Sequence, residues 1–185
     1  KIPEYCDILL INGPSSDLRD SEKKMVLDYL KAGGDAVINM QYTTEKTPNL
    51  NEILEYYGIQ SNQGIICEEA GNYSTYPNWI VPSVSEEAEM VSSLTGFSVF
   101  PNAVGLNAAK ADSLRSSLKL EELLTTTDGS YLKVDPSSGN AERETGDIDG
   151  PFAAGISAVE TLEGEEQTQL VVYASADAFD DSFAY

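Results

Sequence analysis

The first apolar feature of the chain is the run Asp7-Ile8-Leu9-Leu10-Ile11, closed by Asn12-Gly13-Pro14. A continuous run of this kind predicts a strand buried on both faces and ended by a tight turn, and therefore a central strand. Asp20 stands where a helix cap is needed, Met25, Val26, Tyr29 and Leu30 recur with helical spacing, and Gly33-Gly34 supplies a left-handed stop. Ala36-Val37-Ile38-Asn39-Met40 predicts the next strand. Strand, helix and strand in this order make a right-handed crossover, so the two strands should run parallel.

The same pattern recurs. Asn49 and Glu52 have capping-box spacing, Leu50, Ile53, Leu54 and Tyr57 form an apolar stripe, and Gly58 ends the helix before a third strand at residues 64–68. Residues 70–85 change to Gly, Pro, Ser, Asn and aromatics, with Pro77 and Pro82 blocking regular structure. A surface loop of this length ordinarily binds something or covers an edge. A short helix from Ser85 to Leu94 and a short strand at 97–100 follow. Residues 120–127 and 131–134 flank Asp128-Gly129 and predict a hairpin, and residues 137–149 predict a polar loop. Residues 152–159 and 169–174, separated by Glu163-Gly164-Glu165-Glu166, predict a second hairpin at a sheet edge. The pattern is that of an α/β protein with a mixed sheet.

Length supports one domain spanning 1–185, since chains of about 100–200 residues ordinarily bury one full core. The charge balance of 11 basic to 31 acidic residues, net −20, excludes nucleic acid as a partner, because phosphate binding needs clustered Lys and Arg. The chain has no histidine, which removes the usual general base and every Ser-His-Asp or Cys-His nucleophile arrangement. No stretch approaches the roughly 18–20 apolar residues of a membrane span. The opening Lys1-Ile2-Pro3-Glu4-Tyr5 is neither a signal peptide nor an initiating sequence, so the chain is expected to be part of a longer polypeptide.

The turn Asn12-Gly13-Pro14-Ser15 follows the first predicted strand, where open α/β sheets place ligand crevices, and is the first candidate site. It lacks the glycines and lysine of a phosphate loop, and a turn that merely reverses the chain would look the same. Tyr73, Tyr76 and Trp79 form a candidate partner or sugar contact, unless their rings fold back over the sheet. Acids gather at Glu142, Glu144, Asp147 and Asp149 and again at Asp177, Asp180 and Asp181. Asp147-Ile148-Asp149-Gly150 begins like the end of a calcium loop, but Pro151, Phe152 and Ala153 follow where further ligands belong, so no metal and no cofactor is expected. A carboxylate pair drawn from the two groups would need a separation of about 5–9 Å to hydrolyse a glycan. Cys6 and Cys67 are expected at opposite strand ends, about 13 Å apart at the usual strand rise and beyond disulfide reach. An uncharged rim of Asn12 to Ser15, the segment after Met40 and the aromatic loop is the expected docking surface.

Five segments in order resemble the GldG-like auxiliary domain of ABC-type transport systems. Cys6 to Pro14, with Asp20-Ser21-Glu22-Lys23-Lys24 and Tyr29-Leu30-Lys31-Ala32-Gly33-Gly34, is similar to its opening, and Pro48-Asn49-Leu50 with Leu54 to Gly58 to its second helix. Leu123-Leu124-Thr125-Thr126-Thr127-Asp128-Gly129-Ser130 and Gly150-Pro151-Phe152-Ala153-Ala154-Gly155 resemble two further motifs, and residues 171–179 its closing strand and turn. Thr127, where serine is common, and Ala154-Gly155 are local departures. The resemblance implies a three-layer domain, flavodoxin-like or class I glutamine-amidotransferase-like, with a mixed, mainly parallel sheet. It implies a position on the extracytoplasmic side of the cell membrane, held there by segments outside this sequence, with an ABC permease and ATPase as partners. It supplies no catalytic residue. A carboxylate-based glycan hydrolase and a receptor for a small molecule or cargo are the alternatives.

Overall fold

The computed structural model describes residues 1–180. The strands are β1 (Ile8–Asn12), β2 (Asp35–Asn39), β3 (Ile59–Asn62), β4 (Ile65–Cys67), β5 (Trp79–Ile80), β6 (Ser83–Val84) and β7 (Phe100–Pro101). They continue as β8 (Gly105–Ala108), β9 (Leu118–Thr125), β10 (Tyr131–Lys133), β11 (Ile148–Asp149), β12 (Ala153–Thr161) and β13 (Gln167–Tyr173). The α-helices are α1 (Asp20–Lys31) and α2 (Pro48–Tyr56). The fold is α/β with a mixed sheet and few helices.

The main sheet runs β1-β2-β13-β12-β8-β3, with β9 along β12 and β6 along β9. β1, β2 and β13 are parallel, as the crossover through α1 requires for the first pair. β12 returns antiparallel to β13 as the expected hairpin. That hairpin lies in the middle of the sheet and not at its edge, because β13 inserts between β2 and β12 and buries Leu170 and Val172 completely. β1 is correspondingly an edge strand, against the expectation of a central one. Leu9 and Ile11 pack against the core, while Ile8 and Leu10 on the alternate face stay 61% and 60% exposed. An apolar run is compatible with a strand buried on one face only when its outward residues happen to be apolar too.

α1 and α2 touch each other and so share one face of the sheet. The buried residues Val26 and Leu30 of α1 and Leu50, Ile53 and Leu54 of α2 make that face the core, over Ala36, Ile38, Leu170 and Val172. Among the described residues no α-helix covers the other face of β1, β2 and β13, so the expected three-layer stacking does not arise from these elements. The caps differ by one or two positions from expectation. Arg19 precedes α1, and its N–H donates to Glu22 at 2.9 Å. α2 begins at Pro48, and its free N–H groups at Asn49 and Leu50 donate to Asp17 at 3.1 Å each. A carboxylate from the turn after β1 thus satisfies a helix N-terminus brought close only by the fold.

Two other expectations change. The strand at Ile65–Cys67 leaves the main sheet and joins β10 and β11 in a small antiparallel one. β9 and β10 likewise do not form a hairpin, since β9 pairs with β12 and β6 while β10 pairs with β4 and β11. At the rim opposite the candidate site, Glu160 accepts from Arg115 Nε and Nη2 at 2.5 and 2.7 Å, and Arg115 Nη1 donates to the Tyr56 carbonyl at 2.6 Å.

Candidate functional site

The carboxyl ends of β1, β2 and β13 bring three turns together. Gly13 N–H donates to the Asn39 carbonyl at 2.9 Å, and Asn39 Nδ2 donates to Asn12 Oδ1 at 2.8 Å. Gly13 has φ +58°, and a Cβ there would lie 2.7 Å from Gln41 Oε1 and 3.2 Å from Ala176 Cβ, so only glycine lets the turn close against its neighbours. Thr43 Oγ1 donates to the Ser15 carbonyl at 2.9 Å, and Ala176 N–H to the Met40 carbonyl at 2.7 Å. Asn12, Gly13, Pro14 and Ser15 are therefore joined to the segment after Met40, as the sequence predicts.

A cavity of about 240 Å³ opens beside this junction, lined by Met40, Gln41, Tyr42, Ile65, Asn102, Ser175, Ala176 and Asp177. Asp177 is thus at the rim, but the sequence reading overlooks Asn102, which organises it. Asn102 Nδ2 donates to Asp177 Oδ2 at 3.0 Å, and Asn102 Oδ1 accepts from Asn78 Nδ2 at 2.8 Å. Its backbone has φ +52°, a left-handed conformation in which asparagine is the commonest residue after glycine. The signal available in sequence was Pro101-Asn102, a turn-forming pair.

Asn78 belongs to the aromatic loop, so Asn102 fastens that loop to the rim. Trp79 pairs with Pro101, and the rings of Tyr76 and Trp79 meet edge to face at 5.4 Å. Trp79 is half-buried and Tyr76 is 55% exposed. Tyr73 lines a cavity of about 350 Å³ with Gly71, Ser83, Phe97 and Thr127, and another of about 380 Å³ with Glu68, Pro77, Tyr131 and Arg143. It forms a strand bridge with Ile80, next to Trp79.

Of the acids between residues 142 and 149, Glu144, Asp147 and Asp149 are paired with basic side chains. Lys133, almost wholly buried, donates to Glu144 at 2.6 Å and to the Glu142 carbonyl at 2.8 Å, and lies 3.1 Å from Asp147. The hydrogen bond from Lys133 holds Glu144 below the usual carboxylate range. Burial works to raise Asp147, but the N–H groups of Glu144 and Val134 together with Lys133 bring it down. Arg143 pairs with Asp149. Among the described residues Asp177 shares its cavity with no second acid. Asp181 lies outside the described residues.

Two of the motif-like segments meet. Thr126 Oγ1 accepts from Phe152 N–H at 2.8 Å and lies 2.8 Å from Ser130 Oγ, while Gly150 N–H donates to the Ser130 carbonyl at 2.9 Å. Glu68, nearly fully buried, accepts from Thr127 N–H and Oγ1 at 2.8 and 2.6 Å. These groups satisfy one another, so the knot fixes the exchange of chain between the two sheets. Nothing local marked Glu68 as buried; its partner lies 59 positions away. Cys6 and Cys67 are both free, as expected, although β4 lies in a different sheet from the one anticipated.

No protein-family model matches the chain, and no curated protein does. Among solved structures the chain is similar to the mmIFT52 N-terminal domain, with TM-score 0.64 and 18% identity over 96% of this chain and 69% of that one. A ThuA-like protein from Bacteroides uniformis ATCC 8492 gives TM-score 0.45 and 12% identity over 96% of this chain and 64% of that one. At such identities the likeness to the first is one of fold.

Proposed function

We propose that this chain is a non-catalytic, extracytoplasmic auxiliary module of an ABC-type transport system. In this reading it is a GldG-like domain, akin to flavodoxin-like and class I glutamine-amidotransferase-like folds, that binds the permease and ATPase assembly at its largely uncharged rim. The observation that carries the reading is the chemistry of the rim cavity. Among the described residues its one acid is Asp177, which is engaged by Asn102, and no second acid or cysteine lines it. Proton transfer to and from a substrate needs groups the cavity does not offer. Asn12 to Ser15, Gln41 and Tyr42 instead present polar, uncharged groups whose desolvation costs less than that of carboxylates, and the loop carrying the exposed ring of Tyr76 is tied to the rim through Asn78 and Asn102.

The glycan-hydrolase alternative needs a second carboxylate beside Asp177, and Glu144 and Asp147 are committed to Lys133. A receptor site at this rim asks for a larger enclosure than its cavity of about 240 Å³, since ligand pockets run from about 300 to 1,000 Å³. The test is purification of the tagged protein from its native membranes in mild detergent. A permease and ATPase at equal stoichiometry support the module, and their absence removes it. Tyr76→Ala with Trp79→Ala should release that complex at unchanged thermal stability; a complex that survives while stability collapses would make the rings core residues.

A further inference from the structure

Among the described residues β1 lies at the outside of the sheet and pairs with β2 alone. Its register is unbroken over all five residues, from Ile8 opposite Asp35 to Asn12 opposite Asn39, and Gly13 N–H extends it to the Asn39 carbonyl. In a parallel pair alternate residues turn both backbone groups toward the partner. With Gly13 turned inward, Leu9 and Ile11 are inward too, and Ile8, Leu10 and Asn12 present N–H and C=O off the edge. The same three residues place their side chains on the helix-free face, where Ile8 and Leu10 are mostly exposed. The strand has no charged residue, proline or bulge, the usual means of keeping an edge from pairing.

The surroundings say what can approach. Residues 1–34 hold five basic and six acidic side chains, so nineteen of the twenty net negative charges lie in residues 35–185. α1, whose Tyr29 hydroxyl lies within hydrogen-bonding distance of the Cys6 and Asp7 carbonyls just before β1, is balanced, with Asp20, Glu22 and Asp28 against Lys23, Lys24 and Lys31. Two copies of a protein with net charge −20 repel over most of their surfaces, but not here.

We propose that a second copy of this chain occupies the β1 edge, the two strands running antiparallel about a two-fold axis at Leu10. Leu10 then faces its counterpart and Ile8 faces Asn12, which brings the outward N–H and C=O groups into hydrogen-bonding register. Ile8 and Leu10 of both copies pack together on the helix-free face. The contact is self-complementary, so it closes at two copies. It does not depend on the transport role, and its test needs no transporter.

Sedimentation equilibrium of the 185-residue chain from about 1 µM to about 1 mM should give a mass rising from 20.0 kDa to twice that value. Leu10→Lys sets like charges across the axis and should leave a monomer with an unchanged circular-dichroism spectrum. In a Cys6→Ser background, Leu10→Cys should cross-link on oxidation, because hydrogen-bonded opposed Cα atoms lie about 5.5 Å apart. Tyr76→Cys in the same background should not. A monomer at every concentration, a dimer that Leu10→Lys leaves intact, or a dimer whose Leu10→Cys form fails to cross-link would each overturn the pairing.

Discussion

The Asn102 amide donates to the Asp177 carboxylate at 3.0 Å while the same side chain accepts from Asn78 at 2.8 Å. One residue thereby joins the turn after β13, the aromatic loop and the β7–β8 connection, and does so from a left-handed backbone with φ +52°. Asn102→Ala loses both hydrogen bonds and adds backbone strain, and should lower unfolding free energy by about 2–4 kcal/mol. Asn102→Gly loses the bonds but relieves the strain, and should cost about 1–2 kcal/mol less than alanine. Urea unfolding of the two variants measures this, and equal losses would assign the whole effect to the side chain. Both variants should also be nicked faster by protease within residues 70–85.

Gly150 is a steric prediction. A Cβ at this position would stand 2.0 Å from Ser130 Oγ and 3.0 Å from the Ser130 carbonyl oxygen. Gly150→Ala should destabilise by about 2–4 kcal/mol, since backbone on one side cannot retreat. Adding Ser130→Ala removes the nearer obstacle and should recover part of the loss, a coupling readable from a double-mutant cycle. Simple additivity would mean that the two segments separate more easily than their hydrogen bonds imply.

The ion pair at the opposite rim sets a pH dependence. Hydrogen bonding from Arg115 holds Glu160 below the usual carboxylate range, outweighing burial, and the Arg115 charge and the Ser117 hydroxyl act in the same direction. A carboxylate with a depressed folded pKa adds stability that is present above its unfolded value, about 4.3, and lost as pH falls through the folded one. Glu160→Gln should therefore be less stable than wild type by about 1–3 kcal/mol near neutral pH. The gap should narrow steadily on acidification from about pH 5 to about pH 3. Protonation of the other acids relieves net repulsion in both proteins, so the difference between their urea midpoints isolates the pair. A gap independent of pH would deny the ion pair its role.

The thiols should differ in reactivity. Burial pushes Cys67 up to about 11, against the opposite pull of Lys133, and the residue is 2% exposed, whereas Cys6 is half-buried. At about pH 8 a thiol reagent should modify Cys6 in the native protein and reach Cys67 only in denaturant, where two groups are counted. Finding none in the denatured, unreduced monomer would contradict the separation of the two residues in the fold.

The α/β class, both helices, the β12–β13 pairing and the joining of Asn12 to Ser15 with the segment after Met40 were legible because each rests on local periodicity or on a turn signal. Strand order was not. Ile8 to Ile11 read as central because an apolar side chain in sequence carries no record of whether its face is covered. β13 went to the middle because Leu170, Val171 and Val172 can be buried on both faces, which outweighs its proximity in sequence to an acidic turn. Asp128-Gly129 was a sound turn, yet the strands flanking it found other partners once Thr126 and Ser130 were engaged by Phe152 and Gly150. Asn102 and Glu68 escaped notice because their significance lies in partners far away along the chain.

The central position of β13 also fixes when the protein can fold during its synthesis. β2 needs β13 along its inner edge, and the bond from Gln169 N–H to Asp35 spans 134 residues. A nascent chain that has emerged only as far as β12 holds the β1–β2 pair with α1 on one side and the antiparallel strands on the other, with no strand to join them. Both halves then present open strand edges and uncovered apolar side chains, the state in which chains aggregate or recruit chaperones. Completion of the main sheet accordingly waits for β13 to leave the ribosome, and folding then proceeds through long-range pairings that are slow to close. Any truncation upstream of residue 167 should yield two unjoined pieces and no smaller stable protein.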